Sequence, residues 1–440
     1  MQPMDIFTEY NSNLISQIDR DPLGFQQIWT HFGQKIFNSK TTSVATDIRN
    51  YTINLVHHNI IRQLPTKANS YWNIVSKRND KEGIEKSIIL LEMMLAHSRV
   101  ISGTEWQESR GILGTSMAFK RWQENEDSIY LDMDLSDPSW KRENKKSFEM
   151  LLVRQVSLGI NGRYKGPFMR MGFFESDYKY SKYSEEWDSI NIYIENNPIL
   201  KHLQESIFKS LHGVTKEVSF KKTSLWCTAY KNAFSQHEIT SDFSLEFWPH
   251  HLGFGSGAAK AIFELLIEKE SPCDSEISGQ QIFEEAIKRI NSSEIEEVNN
   301  IQNILNIEPI LVKLDATFKI LLKTQNTNID VSNVMKIVDG YNIPSGVPQR
   351  LIDLIKLIKK ERDVIKALLT YHNDVMDDRG NMPWIRVLNN GDLKVYLHGE
   401  RTGGLEDLEK QLKLGNDDWI HPYYIPSMEE IVCGMTKGDI

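Results

Sequence analysis

The densest group of titratable side chains lies in YHNDVMDDRG, residues 371–380. A metal-dependent nuclease uses carboxylates to hold the cation that activates water. In a helix, Asp374, Asp377 and Asp378 share one face, whereas His372 and Asp374 diverge. The same pattern is typical of a capped, solvated helix terminus, which we favour. We therefore assign no catalytic residue here, and a metal-dependent nuclease built on this cluster stays an alternative.

Two further motifs indicate chemistry only weakly. GFGSGAA, residues 253–259, precedes a helical pattern, and a helix N-terminus attracts anions. It lacks both a clear preceding strand and the GK[ST] ending of a phosphate-binding loop, so we interpret it as a close helix–helix approach through small residues. The pairs His57–His58 and His250–His251 are adjacent, and neighbouring residues of a helix do not face one metal ion. The sequence therefore predicts neither a metal site nor a cofactor.

The strongest signal is a basic segment, residues 141–182. It carries ten Lys and Arg against four Asp and Glu, in a chain whose formal net charge is −9. Glycines and aromatic residues are interleaved with the cations. Salt screens charges that lie farther from a phosphate than a Debye length of about 8–10 Å, so the electrostatic field of nearby side chains decides the affinity. An acidic protein can therefore bind nucleic acid through such a segment.

We predict that this basic segment contacts nucleic acid. Cationic side chains neutralise phosphates, and aromatic rings stack on bases or pack on sugars. The predicted contact residues are Arg154, Arg163, Tyr164, Lys165, Arg170, Lys179 and Lys182. We expect duplex DNA as the partner, while the choice between DNA and RNA and the sequence selectivity stay open.

The order of patterns around this segment resembles a winged-helix domain. FEMLLVRQVSLG (148–159) is helical, Gly159 and Gly162 bracket a turn, RYKGPFMRMGFF follows as a second helix, and 175–187 fits a wing. Such domains place the second helix in the major groove. Pro167 opposes that reading because proline inside a helix removes a hydrogen bond and costs about 3 kcal/mol. In that case GINGRYKGP forms an exposed loop and not a recognition helix. The sequence then supports contact with phosphates more than sequence-specific reading of bases.

The elements that position these residues are mainly α-helical. Apolar residues recur at helical spacing in PLGFQQIWTHFGQKIF and in ATDIRNYTINLVHHNIIRQL, until Pro65 ends the second pattern, and ILKHLQESIFKSLHG ends at Gly213. SIYLDMDL alternates like a short strand, and PWIRVLNNGDLKVYLHG predicts a β-hairpin. We expect a multidomain helical protein with four parts: an N-terminal bundle (1–125), a winged-helix-like basic module (126–197), a central helical domain (198–380) and a C-terminal hairpin with its tail (381–440).

Composition excludes several protein classes. Hydrophobic residues make up 40% and charged residues 25%, which is globular composition, and no apolar run is long enough to span a membrane. MQPMDIFTEYNSNL lacks the features of a secretory signal. The three cysteines lie far apart without a CxxC motif, which favours buried or idle thiols in a reducing compartment. We therefore expect a cytoplasmic protein without membrane contact.

Two stretches resemble accessory proteins of bacterial anti-phage defence islands. They are LLVRQVSLGINGRYKGPFMRMGF and the pattern YHNDVMDDRGNMPW…W…YYIP near the C-terminus. This resemblance implies a role in sensing or restricting foreign DNA beside other protein subunits, and it assigns no catalytic residue. Our leading hypothesis is a non-enzymatic, nucleic-acid-binding or scaffold subunit of a prokaryotic multi-protein assembly. A protein-docking adaptor without nucleic-acid contact is the third possibility.

Overall fold

The fold is a computed structural model. It describes residues 21–77, 79–102, 112–124, 128–132, 151–152, 155–214, 217–221, 223–234, 242–268, 278–291, 293–343, 346–397, 404–413 and 419–436.

Helices dominate the described residues, which confirms the predicted fold class. The first ten are α1 Phe25–Phe37, α2 Ile48–Lys67, α3 Asn69–Val75, α4 Asp80–Ile101, α5 Thr115–Glu124, α6 Gln155–Leu158, α7 Ile160–Met171, α8 Ser184–Asn196, α9 Pro198–Leu211 and α10 Leu225–Phe234. The others are α11 Asp242–Leu252, α12 Gly257–Glu268, α13 Gly279–Arg289, α14 Ile295–Thr324, α15 Ser332–Gly340, α16 Gln349–Glu361, α17 Val364–Asp378, α18 Leu405–Leu412 and α19 Ile425–Thr436.

The chain forms two compact units. The first comprises residues 1–33, 279–288 and 292–423, and the second comprises 34–278, 289–291 and 424–440. The predicted boundaries near residues 125, 197 and 380 do not coincide with the boundaries of these units.

The second unit is built around α2. This helix is buried on almost every side, and α3, α4, α7, α8, α9, α10 and α19 pack against it. Asp47 caps its N-terminus by accepting a hydrogen bond of 2.9 Å from the Arg49 backbone N–H. The helix continues past Pro65 to Lys67, so the predicted end at Pro65 was two residues early. Because α2 is central, its buried histidines and asparagines meet side chains from several other helices.

The first unit has α14 as its longest helix, with α15, α17 and α18 packed against it. Glu308 on this helix is fully buried, and four donors satisfy its carboxylate. They are Trp29 Nε1 at 2.8 Å, Tyr423 Oη at 2.6 Å, Ile420 N at 3.0 Å and His421 N at 3.1 Å. Burial raises the pKa of Glu308, and these hydrogen bonds lower it in part.

Two small antiparallel sheets complete the described structure. The strand expected in SIYLDMDL is β1, Ser128–Asp132, and it pairs with β2, Glu217–Lys221, which the sequence analysis did not predict. The predicted hairpin is confirmed as β3, Ile385–Val387, paired with β4, Leu393–Val395. β3 packs against α17 in the first unit.

The segment expected to form a wing contains no strand. Residues 175–178 form a turn closed by a hydrogen bond of 2.9 Å from the Tyr178 N–H to the Glu175 carbonyl, and residues 178–180 have no regular secondary structure. Ser181–Tyr183 form a 3₁₀-helix, and α8 begins at Ser184. The second helix of the predicted module is present as α7 and runs through Pro167, so the loop reading of GINGRYKGP was wrong. Residues 133–150 and 153–154 lie outside the described part of the chain.

The cysteines differ in state. Cys227 is a buried free thiol, as expected, whereas Cys433 is disulfide-bonded, so the prediction of an idle thiol was wrong at that position. Burial raises the pKa of the Cys227 thiol, which keeps it protonated and unreactive.

Candidate nucleic-acid interface

Helix α7 has one buried face and one exposed face. Tyr164 and Phe168, four residues apart, are 2% and 0% exposed. On the other side, Arg163 and Arg170 reach solvent, with Gly166 exposed between them. Residues at i, i+3 and i+7 lie along one stripe of a helix, and seven residues span about 10.5 Å. The exposed stripe therefore carries two guanidinium groups separated by bare backbone, since a Cβ on Gly166 would meet no atom within 4 Å.

An aromatic core holds the buried face of α7. The Tyr164 ring packs edge-on against Tyr51 of α2 with centroids 4.5 Å apart, and its hydroxyl donates to the Asp47 carbonyl at 3.3 Å. Phe168 stacks on Tyr51 at 6.2 Å and contacts Trp248 at 6.3 Å. Edge-on and offset ring pairs of this kind add about 0.5–1.5 kcal/mol each beyond the burial of their area. The helix is thus fixed in orientation, and its arginines are presented from a rigid element.

Glu92 on α4 caps the N-terminus of α7. Its Oε1 accepts a hydrogen bond of 2.7 Å from the Asn161 backbone N–H, and its Oε2 accepts one from Gln155 Nε2. A Cβ on Gly159 would overlap the Glu92 carboxylate, so glycine permits this close approach. Burial raises the pKa of Glu92 to about 7, and the two hydrogen bonds lower it in part. A carboxylate at this place also complements the positive end of the helix dipole.

His58 of α2 continues the buried network below α7. Its Nε2 lies 3.0 Å from Asn161 Oδ1, and its Nδ1 lies 2.7 Å from the Tyr180 hydroxyl. Asn161 Nδ2 in turn donates to the Tyr178 hydroxyl at 2.8 Å. Burial lowers the pKa of His58 to about 3, so the ring is neutral near neutral pH. This network ties the 175–180 turn to the central helix and works as a structural anchor.

Lys165 occupies the border between the core and the exposed stripe. Its ammonium lies 4.1 Å from the centroid of the Tyr178 ring, within the range of a cation–π contact. Burial lowers the pKa of Lys165, and Lys81 lowers it further, while Glu85 and Asp177 oppose that shift. Lys165 therefore already has an aromatic partner within the fold.

Two of the predicted cations form ion pairs within the segment. Lys179 Nζ lies 2.9 Å from Asp177 Oδ2, and Lys182 Nζ lies 3.0 Å from Glu175 Oε1. Both lysine side chains are about two-thirds exposed, at 64% and 65%. Exposed pairs of this kind contribute about 0–1 kcal/mol, so a phosphate can compete for either lysine.

The predicted contact residues thus divide into three groups. Arg163, Lys165, Arg170, Lys179 and Lys182 lie on or beside the surface of one segment, 160–183, which carries five Lys and Arg against two Asp and Glu. Tyr164 is in the core, so its predicted role in base stacking was wrong, and Tyr178 is equally buried at 3% exposed. Arg154 falls outside the described residues.

Sequence reasoning missed three residues that matter to this site. Glu92 and Asn161 set the position of α7, yet they are 69 residues apart and no local pattern joins them. Gly166 was not singled out as an exposed position between the two arginines. A helical wheel of 160–171 gives a usable signal, because Tyr164 and Phe168 fall opposite Arg163, Gly166 and Arg170.

The carboxylates considered for a nuclease do not converge with His372. His372 Nδ1 lies 2.8 Å from the Pro22 carbonyl oxygen, and its Nε2 accepts from the Trp384 backbone N–H at 2.9 Å, which occupies both ring nitrogens. Asp374, Asp377 and Asp378 are exposed. Within the described ranges, no three His, Cys, Asp or Glu side chains are grouped so that they could hold a metal ion.

The other motifs are also structural where they are described. Gly253 and Gly257 adopt left-handed backbone at φ +82° and +62°, and α12 then packs its alanines, with Ala258 0% exposed, against α19. His251 lies between the Phe173 and Phe247 rings, at centroid distances of 5.1 and 4.1 Å. Burial lowers the pKa of His251 to about 4. The small-residue interpretation of GFGSGAA agrees with this packing.

Comparisons with protein-family models, curated proteins and solved structures found no match to this chain. Across the described residues, no helix has both the length and the apolar character needed to cross a bilayer.

Proposed function

We propose that the chain binds nucleic acid through the sugar–phosphate backbone, using the exposed stripe of α7 as a non-enzymatic subunit of a prokaryotic multi-protein assembly. The observation that supports this most is the arrangement of Arg163, Gly166 and Arg170. Two guanidinium groups flank a glycine whose exposed backbone lets a polyanion approach closely. Guanidinium is the side-chain group best matched to phosphate, because its planar fork donates two parallel hydrogen bonds.

The charge of the surrounding surface favours the same ligand. Among the described residues, none forms a hydrogen bond or ion pair with the side chain of Arg163 or Arg170, so both guanidinium groups can turn toward a ligand. Lys179 and Lys182 are held by exposed ion pairs, and the Lys182 ammonium also lies 5.6 Å from the centroid of the Tyr183 ring. When a phosphate displaces Asp177 or Glu175 from these lysines, the protein loses little stability, because exposed ion pairs contribute little.

Burial of the tyrosines limits the mode of binding. Tyr164 and Tyr178 cannot stack on bases without unfolding the segment, because both rings belong to the core. Phosphate contacts position a protein on nucleic acid but carry no sequence information. We therefore propose binding without base readout, as suits a subunit that holds foreign DNA for partner subunits. The resemblance to accessory proteins of anti-phage defence islands favours that setting.

The test is a fluorescence-anisotropy titration of labelled duplex DNA with the full-length protein. Arg163→Glu/Arg170→Glu should weaken binding by at least about tenfold, since each charge-assisted phosphate contact contributes about 1.5–3 kcal/mol. The matched control is Lys209→Glu/Lys260→Glu, which changes the net charge equally at exposed positions of α9 and α12. Equal affinity of both double variants, with unchanged circular dichroism, would reject this face as the binding site.

A further inference from the structure

Hydrogen-bonded and non-hydrogen-bonded residue pairs alternate along the β3–β4 hairpin of the first unit. The Leu388 backbone N–H donates to the Asp392 carbonyl at 2.8 Å, and the Tyr396 N–H donates to the Trp384 carbonyl at 2.8 Å. In an antiparallel pair, hydrogen-bonded residue pairs recur at every second position. The pair midway between these two is therefore also hydrogen-bonded, and the pairs on either side of it direct their backbone groups away from the partner strand.

That midway pair is Arg386 opposite Lys394. Leu393 and Val395, the neighbours of Lys394, consequently point their N–H and C=O groups outward from β4. In the part of the chain that the structure describes, these outward groups make no hydrogen bond. A strand edge of this kind is a ready template for pairing with another extended chain.

The outer face of the hairpin carries unbalanced positive charge. Arg386 and Lys394 lie directly across from each other, and like charges at such positions destabilise a hairpin. Both side chains are exposed, and no described carboxylate forms an ion pair with either of them. The Lys394 ammonium lies 5.2 Å from the Tyr396 ring centroid, which does not neutralise it.

Apolar side chains on and beside β3, the strand paired with β4, are also left in solvent. Met382 is 57% exposed, Val387 is 54% exposed and Leu388 is 39% exposed. A two-stranded hairpin gains stability from a third strand, because a further strand adds both hydrogen bonds and apolar contact.

We propose that the β4 edge binds an extended segment of a partner protein in which acidic residues alternate with apolar ones. The segment pairs its backbone with the outward groups of Leu393 and Val395. Residues on alternate sides of an added strand face opposite sides of the sheet. Its carboxylates then lie on the same side as Lys394, the cation of the strand that it pairs with, and offset the repulsion between Lys394 and Arg386. Its apolar side chains lie on the other side of the sheet, next to Leu393 and Val395.

A nucleic acid fits this edge less well, although it is also a polyanion. The outward groups alternate between donors and acceptors, and the carbonyl oxygens of Leu393 and Val395 repel phosphate oxygens. An extended peptide supplies both N–H and C=O at the matching spacing. This inference does not depend on the nucleic-acid face of α7, which lies in the other unit.

The experiment measures binding of a labelled peptide of alternating valine and glutamate to the full-length protein. The discriminating variant is Val395→Pro, which removes one outward N–H and leaves the bonds within the hairpin intact. Its matched control is Val387→Pro, which removes an outward N–H from β3 instead. We expect Val395→Pro to weaken binding about tenfold, the loss of one backbone hydrogen bond, and Val387→Pro to stay within about twofold.

Charge is tested with Arg386→Glu/Lys394→Glu and with a peptide of alternating valine and lysine. The double variant should lose the acidic peptide and gain the basic one. No binding of the acidic peptide up to about 1 mM would overturn the proposal. So would equal binding of both peptides, or tighter binding of single-stranded oligothymidine that Val395→Pro leaves unchanged.

Discussion

The Glu92 carboxylate accepts a hydrogen bond of 2.7 Å from the Asn161 backbone N–H, across 69 residues of sequence. This contact joins α4, in the core of the second unit, to the first turn of α7. The helix that presents Arg163 and Arg170 is therefore oriented by a buried carboxylate, and the state of that carboxylate matters for the stability of the site.

The first prediction concerns pH. Burial raises the pKa of Glu92 from 4.5 to about 7, so the folded protein holds this proton more tightly than the unfolded chain does. The corresponding stability is present in full below about pH 4.5 and is lost as the pH rises to about 7, with a total on the order of a few kcal/mol. Glu92→Gln, which cannot ionise, should flatten this part of the stability profile.

Urea titrations at a series of pH values measure this effect through the free energy of unfolding. Glu205→Gln, at an exposed position of α9, is the matched control and should follow the wild type. If Glu92→Gln and the wild type lose stability in parallel between pH 5 and pH 7, the carboxylate is not the group responsible.

The second prediction separates stability from binding at Tyr164. Tyr164→Phe keeps the edge-on contact with Tyr51 and removes the hydrogen bond to the Asp47 carbonyl. The free energy of unfolding should fall by about 0.5–1.5 kcal/mol, the usual net contribution of one hydrogen bond. Duplex affinity should stay within about twofold, because the hydroxyl is buried. A large loss of affinity with unchanged stability would mean that this residue contacts the ligand after all.

The third prediction concerns the cluster at 371–380. His372→Ala should destabilise the first unit, since it leaves the Pro22 carbonyl and the Trp384 N–H without their partner, at about 1–3 kcal/mol for each group. Asp377→Asn/Asp378→Asn should change stability little, because both side chains are exposed.

Thermal unfolding with and without Mg²⁺ or Mn²⁺ measures whether this cluster binds a cation. A ligand that binds the folded state raises the melting temperature. We expect no shift for the wild type and none for the double variant. A shift that the two asparagines abolish would restore the nuclease alternative.

Local patterns predicted much of the fold. The helix ending before Gly213 is present as α9, and Gly213 adopts left-handed backbone at φ +75°, as its position after a helix indicated. The Asn-Asn-Gly-Asp turn likewise predicted the β3–β4 hairpin. In both cases the deciding residues lie within a few positions of one another, so sequence spacing contains the information.

Longer-range relationships were not predictable in this way. β2 was missed because its partner β1 lies about ninety residues earlier, and EVSFK is too short to be distinctive. The wing prediction failed because alternating tyrosines at 178–183 fit a strand, whereas Tyr178 and Tyr180 are instead held by Asn161 and His58. Tertiary hydrogen bonds thus overrode a local preference for strand.

The exposed cations of α7 illustrate the same limit. Charge counting located the segment that carries Arg163 and Arg170, and both side chains reach solvent, whereas their contact with nucleic acid stays a prediction. Counting could not show that Lys179 and Lys182 pair with Asp177 and Glu175, because these contacts depend on the turn between α7 and the following 3₁₀-helix.

The salt dependence of duplex binding tests the central claim most directly. Each phosphate contact releases condensed counterions, so the logarithm of the association constant falls linearly with the logarithm of salt concentration. We predict a clear negative slope for the wild type that becomes shallower by about two in Arg163→Glu/Arg170→Glu, one unit for each lost phosphate contact. An identical slope in the two proteins, or an affinity that does not respond to salt, would contradict a phosphate-binding role for this face of α7.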